Sequence, residues 1–140
     1  MSIWKRQATV EALNASNPGT LNEALGIRFT EIGADYLRGT LPVDPRTRQP
    51  YGLLHGGASV ALAESLGSVA GWLSLPADGG RTMGLEINAN HVRAITEGVM
   101  TGTARPLHLG RSTQVWEVRI EAAQGRLACI SRIPLVVVAG

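Results

Sequence analysis

One carboxylate, Glu64, stands in a long run of small and aliphatic residues. Between Gly52 and Leu75 the only other ionisable side chain is His55. An ionised carboxylate is costly to bury and is rarely buried without a partner or a function. We therefore interpret Glu64 as a candidate catalytic carboxylate. The alternative is a structural carboxylate that is satisfied by an arginine or by backbone donors.

The residues around Glu64 indicate what can approach it. A helix turns by about 100° per residue, which places on one face Gly57, Val60, Ala61, Glu64, Ser68 and Gly71. Most of these side chains are small, so another element can come close to the carboxylate. The Ser68 hydroxyl lies one turn away from it.

His55 precedes Gly56 and Gly57 at the start of the same segment. It lies nine residues before Glu64, about 180° around a helix, so the two side chains cannot easily meet within one helix. Either His55 belongs to the preceding loop, or it meets the Glu64 of a second chain at a site shared between subunits. The glycines would expose backbone N–H groups that bind an oxyanion; ordinary helix-start geometry is the alternative. Gln49, held beside Pro50, could donate its amide to a carbonyl oxygen, although an exposed loop glutamine fits the same pattern.

Basic side chains in the second half of the chain are candidates for phosphate binding. Twelve of the 13 basic residues are arginines, and arginine forms bidentate hydrogen bonds with phosphate oxygens. The candidates near predicted strand ends and in the Gly110 turn are His91, Arg93, His108, Arg111 and Ser112. A solvated surface without a ligand is the alternative.

The elements that would position these residues follow from periodicity and turn residues. Two short helices are predicted, over 9–16 and from a capping box at Thr20–Glu23 to Gly26. A long helix over 55–75 is predicted to be buried on all sides. Six strands are predicted over 27–32, 36–43, 82–93, 99–107, 113–121 and 126–138, and Pro134 indicates that the last one lies at an edge or is bulged. Short connections favour antiparallel pairing, which predicts an α+β fold with a six-stranded antiparallel sheet around one central helix, in a single domain over 1–140.

Composition excludes several classes of function. The net charge of +2 is too small for nucleic-acid binding by bulk attraction. The 52–75 segment is rich in small residues and carries a carboxylate at its middle, so no membrane span is expected. The three histidines lack the spacing of a zinc site, so no metal is expected, and the lone Cys129 is predicted to be a core residue. The N-terminus has no apolar signal segment, which predicts a cytoplasmic protein.

The segment from Gly52 to Ser65, GLLHGGASVALAES, closely resembles the active-site segment of hotdog-fold acyl-CoA thioesterases of the Arthrobacter 4-hydroxybenzoyl-CoA thioesterase and phenylacetate-pathway type. The resemblance extends over nearly the whole chain and is strongest to the 1,4-dihydroxy-2-naphthoyl-CoA hydrolases, through Trp4–Arg6, Glu11–Asn14, Pro42–Asp44, Gly84–Arg93 and Pro106–Gly110. It implies a hotdog fold and hydrolysis of an aromatic, and also of an aliphatic, acyl-CoA to free acid and CoA. It further implies a homotetramer, built as a dimer of dimers with active sites at the dimer interface, and no cofactor besides the CoA of the substrate.

Residue roles carried over by the resemblance fall into two groups. Glu64 is the nucleophile or general base, Ser68 orients it or the water, and the thioester carbonyl is positioned and polarised by Gln49, His55 and the Gly56 N–H. Substrate and CoA contacts are implied at Met83, Asn90, His91, Val92, Arg93, Leu107, His108, Leu109, Gly110, Arg111 and Ser112. At Arg111–Thr113 the sequence departs from the family pattern.

Two other functions remain open at this point. A hotdog enoyl-CoA hydratase or dehydratase would use an acid or histidine on the same helix, and an assay with an enoyl-CoA distinguishes it. A non-catalytic acyl-CoA binding domain would bind CoA without turnover. The joint presence of Gln49, His55 and Glu64 argues against it.

Overall fold

A computed structural model describes all 140 residues. In chain order the elements are α1 (Val10–Ala15), α2 (Leu21–Leu25), β1 (Arg28–Ile32), β2 (Leu37–Pro42), α3 (Gly56–Leu73), β3 (Arg81–Gly84), β4 (Asn88–His91), β5 (Val99–Leu109), β6 (Thr113–Glu121), a 3₁₀ turn (Ala123–Gly125) and β7 (Leu127–Val138). No helix combines the length and the apolar character needed to cross a membrane.

The strands form one antiparallel sheet in the order β1-β2-β5-β6-β7-β3, and β4 also pairs with β7. β3 and β4 pair with successive parts of β7 and together replace the single strand predicted over 82–93. The sheet therefore has the six strand positions that were predicted, and one edge position is divided into two segments.

The division of this edge strand lies opposite Pro134. Gly84 pairs with Leu135 and Asn88 pairs with Arg132, so residues 85–87 lie opposite only two residues of β7. Pro134 accepts a hydrogen bond from the Leu85 N–H at 3.0 Å but has no N–H to return. The prediction that Pro134 marks an edge is wrong, because β7 lies inside the sheet. The irregularity falls instead on the neighbouring edge strand.

Helix α3 packs across the sheet with one face. Its inward residues, among them Leu62, Leu66 and Ala70, are fully buried. The helix comes so close to the sheet that a Cβ at Gly102 would lie 2.7 Å from Leu66 Cδ1. The opposite face is open, with Trp72 exposed and Glu64 only partly buried. A helix buried on all sides was predicted; within one chain this is wrong, because β3 and the N-terminal segment cover that face only in part.

The N-terminal helices begin and end within two residues of the predicted bounds. The capping box is not formed: the Thr20 hydroxyl donates to the Asn17 carbonyl, and Glu23 accepts from the Gly19 N–H. Gly26 ends α2 with φ 76°, a left-handed conformation that glycine adopts readily.

Candidate active site

Gln49 is held in the loop between β2 and α3 by its own neighbours. Its side-chain oxygen accepts from the Tyr51 N–H at 2.5 Å and from the Leu53 N–H at 3.5 Å. The loop is closed by a hydrogen bond from the His55 N–H to the Thr47 carbonyl at 2.8 Å. These bonds hold the amide oxygen against the backbone of the loop, and the NH₂ group, which has no partner in the chain, is free to donate.

His55 is the N-cap of α3. Its Nδ1 accepts from the Gly57 N–H at 2.8 Å, so the ring proton of the neutral imidazole lies on Nε2. The Gly57 N–H, expected as an anion donor, is therefore already used. The Gly56 N–H has no acceptor in the chain. Three donors thus remain at the start of α3: the Gly56 N–H, the Gln49 amide and the His55 Nε2–H.

Glu64 has one polar partner in the chain, the Ser68 hydroxyl, which donates to Oε2 at 3.4 Å. It takes part in none of the three ion pairs, and no backbone N–H reaches it. The structural alternative, a carboxylate satisfied by an arginine or by backbone donors, is therefore not what the fold provides. The carboxylate instead lies against Gly84 of β3, where a Cβ would be 2.8 Å from Oε2. Glycine at this position leaves room for the carboxylate.

The donors and the carboxylate lie on different parts of α3. Gly56 and Glu64 are eight residues apart, which is about 12 Å along a helix axis. Within one chain the site is therefore present as two open halves: the donors at the start of α3, and Glu64 with Ser68 and Gly84 in its middle.

The implied CoA contacts are also divided. His91, Val92 and Arg93 line the same depression as Gln49 and Gly56, and a Cβ at Gly56 would lie 3.0 Å from the His91 Nε2. Asn90 precedes them on exposed β4. The Arg93 guanidinium donates to the Leu127 carbonyl at 3.3 Å.

The second group of implied contacts surrounds the β5–β6 turn: Leu107, His108, Leu109, Gly110, Arg111 and Ser112. His91 pairs with Cys129, whereas Thr113 pairs with Val136. These positions are seven residues apart on β7, which corresponds to about 23 Å. The structure therefore does not bring the two groups together within one chain. Met83 lies on β3, level with Val136, and is half exposed.

Two residues near the site were not singled out from the sequence. Gly84 has a signal, since a glycine inside an alternating strand often marks a close approach of another group. Trp72, two turns beyond Glu64 on α3, had none.

Cys129 is buried and burial raises the pKa of its thiol, which confirms the expectation of a core residue.

The chain is similar to known proteins over most of its length. Residues 51–129 match the family model of the thioesterase superfamily. The chain is 56% identical over 131 residues to the proofreading thioesterase EntH of Cronobacter turicensis, over 94% of this chain and 95% of that protein. It is also 56% identical over 131 residues to the 1,4-dihydroxy-2-naphthoyl-CoA hydrolase of Escherichia coli K12, over 94% of this chain and 96% of that one.

A solved thioesterase structure is also similar to this chain. The crystal structure of a mutant of the thioesterase PA1618 from Pseudomonas aeruginosa superposes with a TM-score of 0.96 at 45% identity, over 99% of this chain and 100% of that chain. The single central helix and the antiparallel sheet that curls around it are thus confirmed as the hotdog fold. With an unpaired carboxylate on that helix and free donors at its start, the chain belongs to the thioesterase superfamily and is a hotdog-fold thioester hydrolase.

Proposed function

We propose that the chain hydrolyses acyl-CoA thioesters to a carboxylic acid and free CoA, at a site completed by a second copy of the chain. The observation that carries this proposal is the division of the site, because each half is open and lacks what the other half contains. A two-fold dimer places the same surface of each copy against the other. Such a dimer can set the donors of one subunit opposite the Glu64 of its partner.

The surface available for such pairing surrounds the divided edge strand. Met83, on β3, is 50% exposed, and Leu85, just after it, is 60% exposed, so two large apolar side chains lie close together on this surface. The open face of α3 lies beside this edge, since Glu64 contacts Gly84. We extend the proposal to a tetramer formed as a dimer of dimers. It includes a cytoplasmic location, with which the unpaired Cys129 agrees.

In the proposed reaction the thioester carbonyl oxygen accepts hydrogen bonds from the Gly56 N–H and the Gln49 amide, and the His55 Nε2–H helps to position it. Each donor becomes more effective as negative charge develops on that oxygen, and loss of one donor typically costs about 3–4 kcal/mol in the barrier. Glu64 either takes a proton from the attacking water or attacks the carbonyl carbon to form a mixed anhydride that water then opens. In both cases the C–S bond breaks, its electron pair leaves on sulfur, and the CoA thiolate takes up a proton to give the free thiol.

Complementation tests the shared site. The variants Glu64→Gln and Gln49→Ala are each expected to be nearly inactive. When they are unfolded together and refolded as a mixture, half of the dimers contain one of each chain, and one of their two sites carries neither change. Recovered activity should approach about a quarter of the wild-type value. No recovery in proven mixed dimers would place both groups in sites formed within one chain.

A second experiment tests Glu64 itself. Glu64→Gln should fold normally and lose nearly all turnover, whereas the control Glu97→Gln, at an exposed position, should retain it. Retained thioesterase activity in Glu64→Gln would refute the assignment. A single turnover in ¹⁸O-labelled water separates the two roles, because label enters the Glu64 carboxylate only through the anhydride.

The acyl group is proposed to be aromatic, in line with the name of the Escherichia coli relative. Values of kcat/KM for dihydroxynaphthoyl-CoA, hydroxybenzoyl-CoA and straight-chain acyl-CoA would test this. The same panel should include an enoyl-CoA. Hydration of that substrate, or CoA binding without turnover of any thioester, would support the other functions considered above and contradict this proposal.

A further inference from the structure

An apolar pocket of about 450 Å³ adjoins the middle of α3. One wall consists of Ser68, Val69 and Trp72, and Thr82 of β3 contributes beside them. The other wall is formed by residues of the N-terminal segment 7–16, chiefly Ala8, Ala12 and Leu13. Because Ser68 is hydrogen-bonded to Glu64, the pocket begins next to the carboxylate and extends away from it.

The residues that lead into the N-terminal wall have no regular structure, whereas the wall itself includes α1. Residues 2–9 form no helix or strand, and their position depends on contacts with distant parts of the chain. The backbone N–H groups of Lys5 and Arg6 donate to the Leu73 carbonyl at 2.9 and 3.1 Å. Trp4 stacks on Trp116 with ring centroids 6.1 Å apart. The wall is thus fastened to the end of α3 and to the sheet.

The Arg6 side chain joins this wall to Trp72. Its guanidinium donates to the carbonyls of Leu75 at 3.1 Å, Pro76 at 2.9 Å and Gly80 at 2.7 Å. The guanidinium carbon also lies 4.6 Å from the centroid of the Trp72 ring, within the range of a cation–π interaction. No carboxylate pairs with Arg6. Its donors bind carbonyls just beyond the end of α3, and its guanidinium face packs on the Trp72 indole.

We infer that Arg6 is a positioning residue that sets acyl-group selectivity. By fixing Trp72 and the residues that lead into segment 7–16, it keeps the two walls of the pocket at a constant spacing, so that a flat aromatic acyl group fits between them. An acyl group of two carbons does not reach these walls and gains nothing from them. The inference rests on the proposed function, because the pocket receives an acyl group only if Glu64 acts on the thioester carbon beside it. The family match begins at residue 51, so one wall lies outside the segment that the chain shares with the whole superfamily.

The test compares kcat/KM for benzoyl-CoA and acetyl-CoA in Arg6→Ala, Arg6→Lys and the control Lys5→Ala, whose side chain is exposed and makes no hydrogen bond or ion pair in the chain. Arg6→Ala should lower kcat/KM for benzoyl-CoA about tenfold, the size expected for a partly desolvated cation–π contact and its packing. The value for acetyl-CoA should stay within about twofold of wild type, and inhibition by free CoA should not change. Arg6→Lys should fall between, because lysine keeps the charge and loses the donor fork.

A purely structural role would lower kcat/KM for both substrates by the same factor and leave the ratio of the two values unchanged. That result would overturn the inference. If Arg6→Ala does not fold, Trp72→Leu provides the same test. It removes the indole from the pocket wall and keeps the hydrogen bonds from Arg6 to the carbonyls. An unchanged ratio in Trp72→Leu would also overturn the inference. A wild-type protein that turns over neither thioester would instead refute the proposed function, so the two failures can be told apart.

Discussion

Replacing Gly84 with alanine should disturb the Glu64 carboxylate without disturbing the backbone. Gly84 does not adopt positive φ, so alanine is compatible with its conformation. The new Cβ would lie 2.8 Å from Glu64 Oε2, whereas ordinary contact begins at 3.4 Å. The carboxylate must therefore move by about 0.6 Å, and because it is the end of a flexible side chain, it can do so at little cost in stability. A misplacement of 1 Å can reduce a rate by about 100-fold, so a loss of roughly tenfold in kcat is expected.

The assay is steady-state hydrolysis of an acyl-CoA, followed by release of the CoA thiol, together with urea unfolding of the same samples. Gly84→Ala should lower kcat about tenfold and change the free energy of unfolding by less than about 1 kcal/mol. The control is a double-mutant cycle with Glu64→Gln. In that background the carboxylate is already gone, so Gly84→Ala should have almost no further effect on the residual rate.

Two results would refute this reasoning. A kcat within twofold of wild type would show that the carboxylate does not have to occupy its position beside Gly84. A tenfold loss that persists unchanged in the Glu64→Gln background would show that the alanine acts on something other than Glu64.

Three further outcomes are expected. Gly71→Ala should lower the free energy of unfolding by about 1–3 kcal/mol, because its Cβ would overlap the buried Leu135 side chain; an unchanged urea midpoint would contradict this. The hydrogen bond between Tyr36 and Glu31 raises the pKa of Tyr36 from its ordinary 10.0 and lowers that of Glu31 from 4.5. The stabilisation that depends on protonated Tyr36 is therefore present below pH 10 and is lost as the pH rises through the raised pKa. The stabilisation that depends on ionised Glu31 is lost as the pH falls through the lowered pKa. In Tyr36→Phe the loss of stability at high pH and the loss at low pH should both be smaller, as measured by urea midpoints across pH. The buried Cys129 thiol, whose pKa is raised by burial, should react with a disulfide reagent only after unfolding; rapid reaction of the native protein would contradict this.

Much of the fold could be predicted because its signals are local. The strand predicted over 113–121 has the bounds of β6, and the one over 126–138 differs from β7 by one residue. Alternating residues and glycine turns are sufficient to place such strands. The lone charge at Glu64 was visible for the same reason, since a single acid among small residues stands out in the sequence itself.

The features that could not be predicted depend on contacts between distant residues. The edge strand is divided after Gly84 because Pro134, fifty residues later, cannot donate a hydrogen bond at that level of the sheet. The open face of α3 has the same small and aliphatic composition as the buried one, so periodicity did not separate them. The distance between His91 and the β5–β6 turn follows from their register on β7, which no local pattern encodes.

Both margins of the sheet are irregular, and this affects how a newly made chain can associate with other chains. β1 loses register between Phe29 and Glu31, and the opposite margin is broken at 85–87. A long, flat, unpaired strand is a template on which further chains can add without limit, and bulges remove that template. A newly made chain of this fold therefore presents only short stretches for pairing at either side. We expect its association to stop at a closed assembly of defined size, where an uninterrupted margin would favour fibrous aggregates.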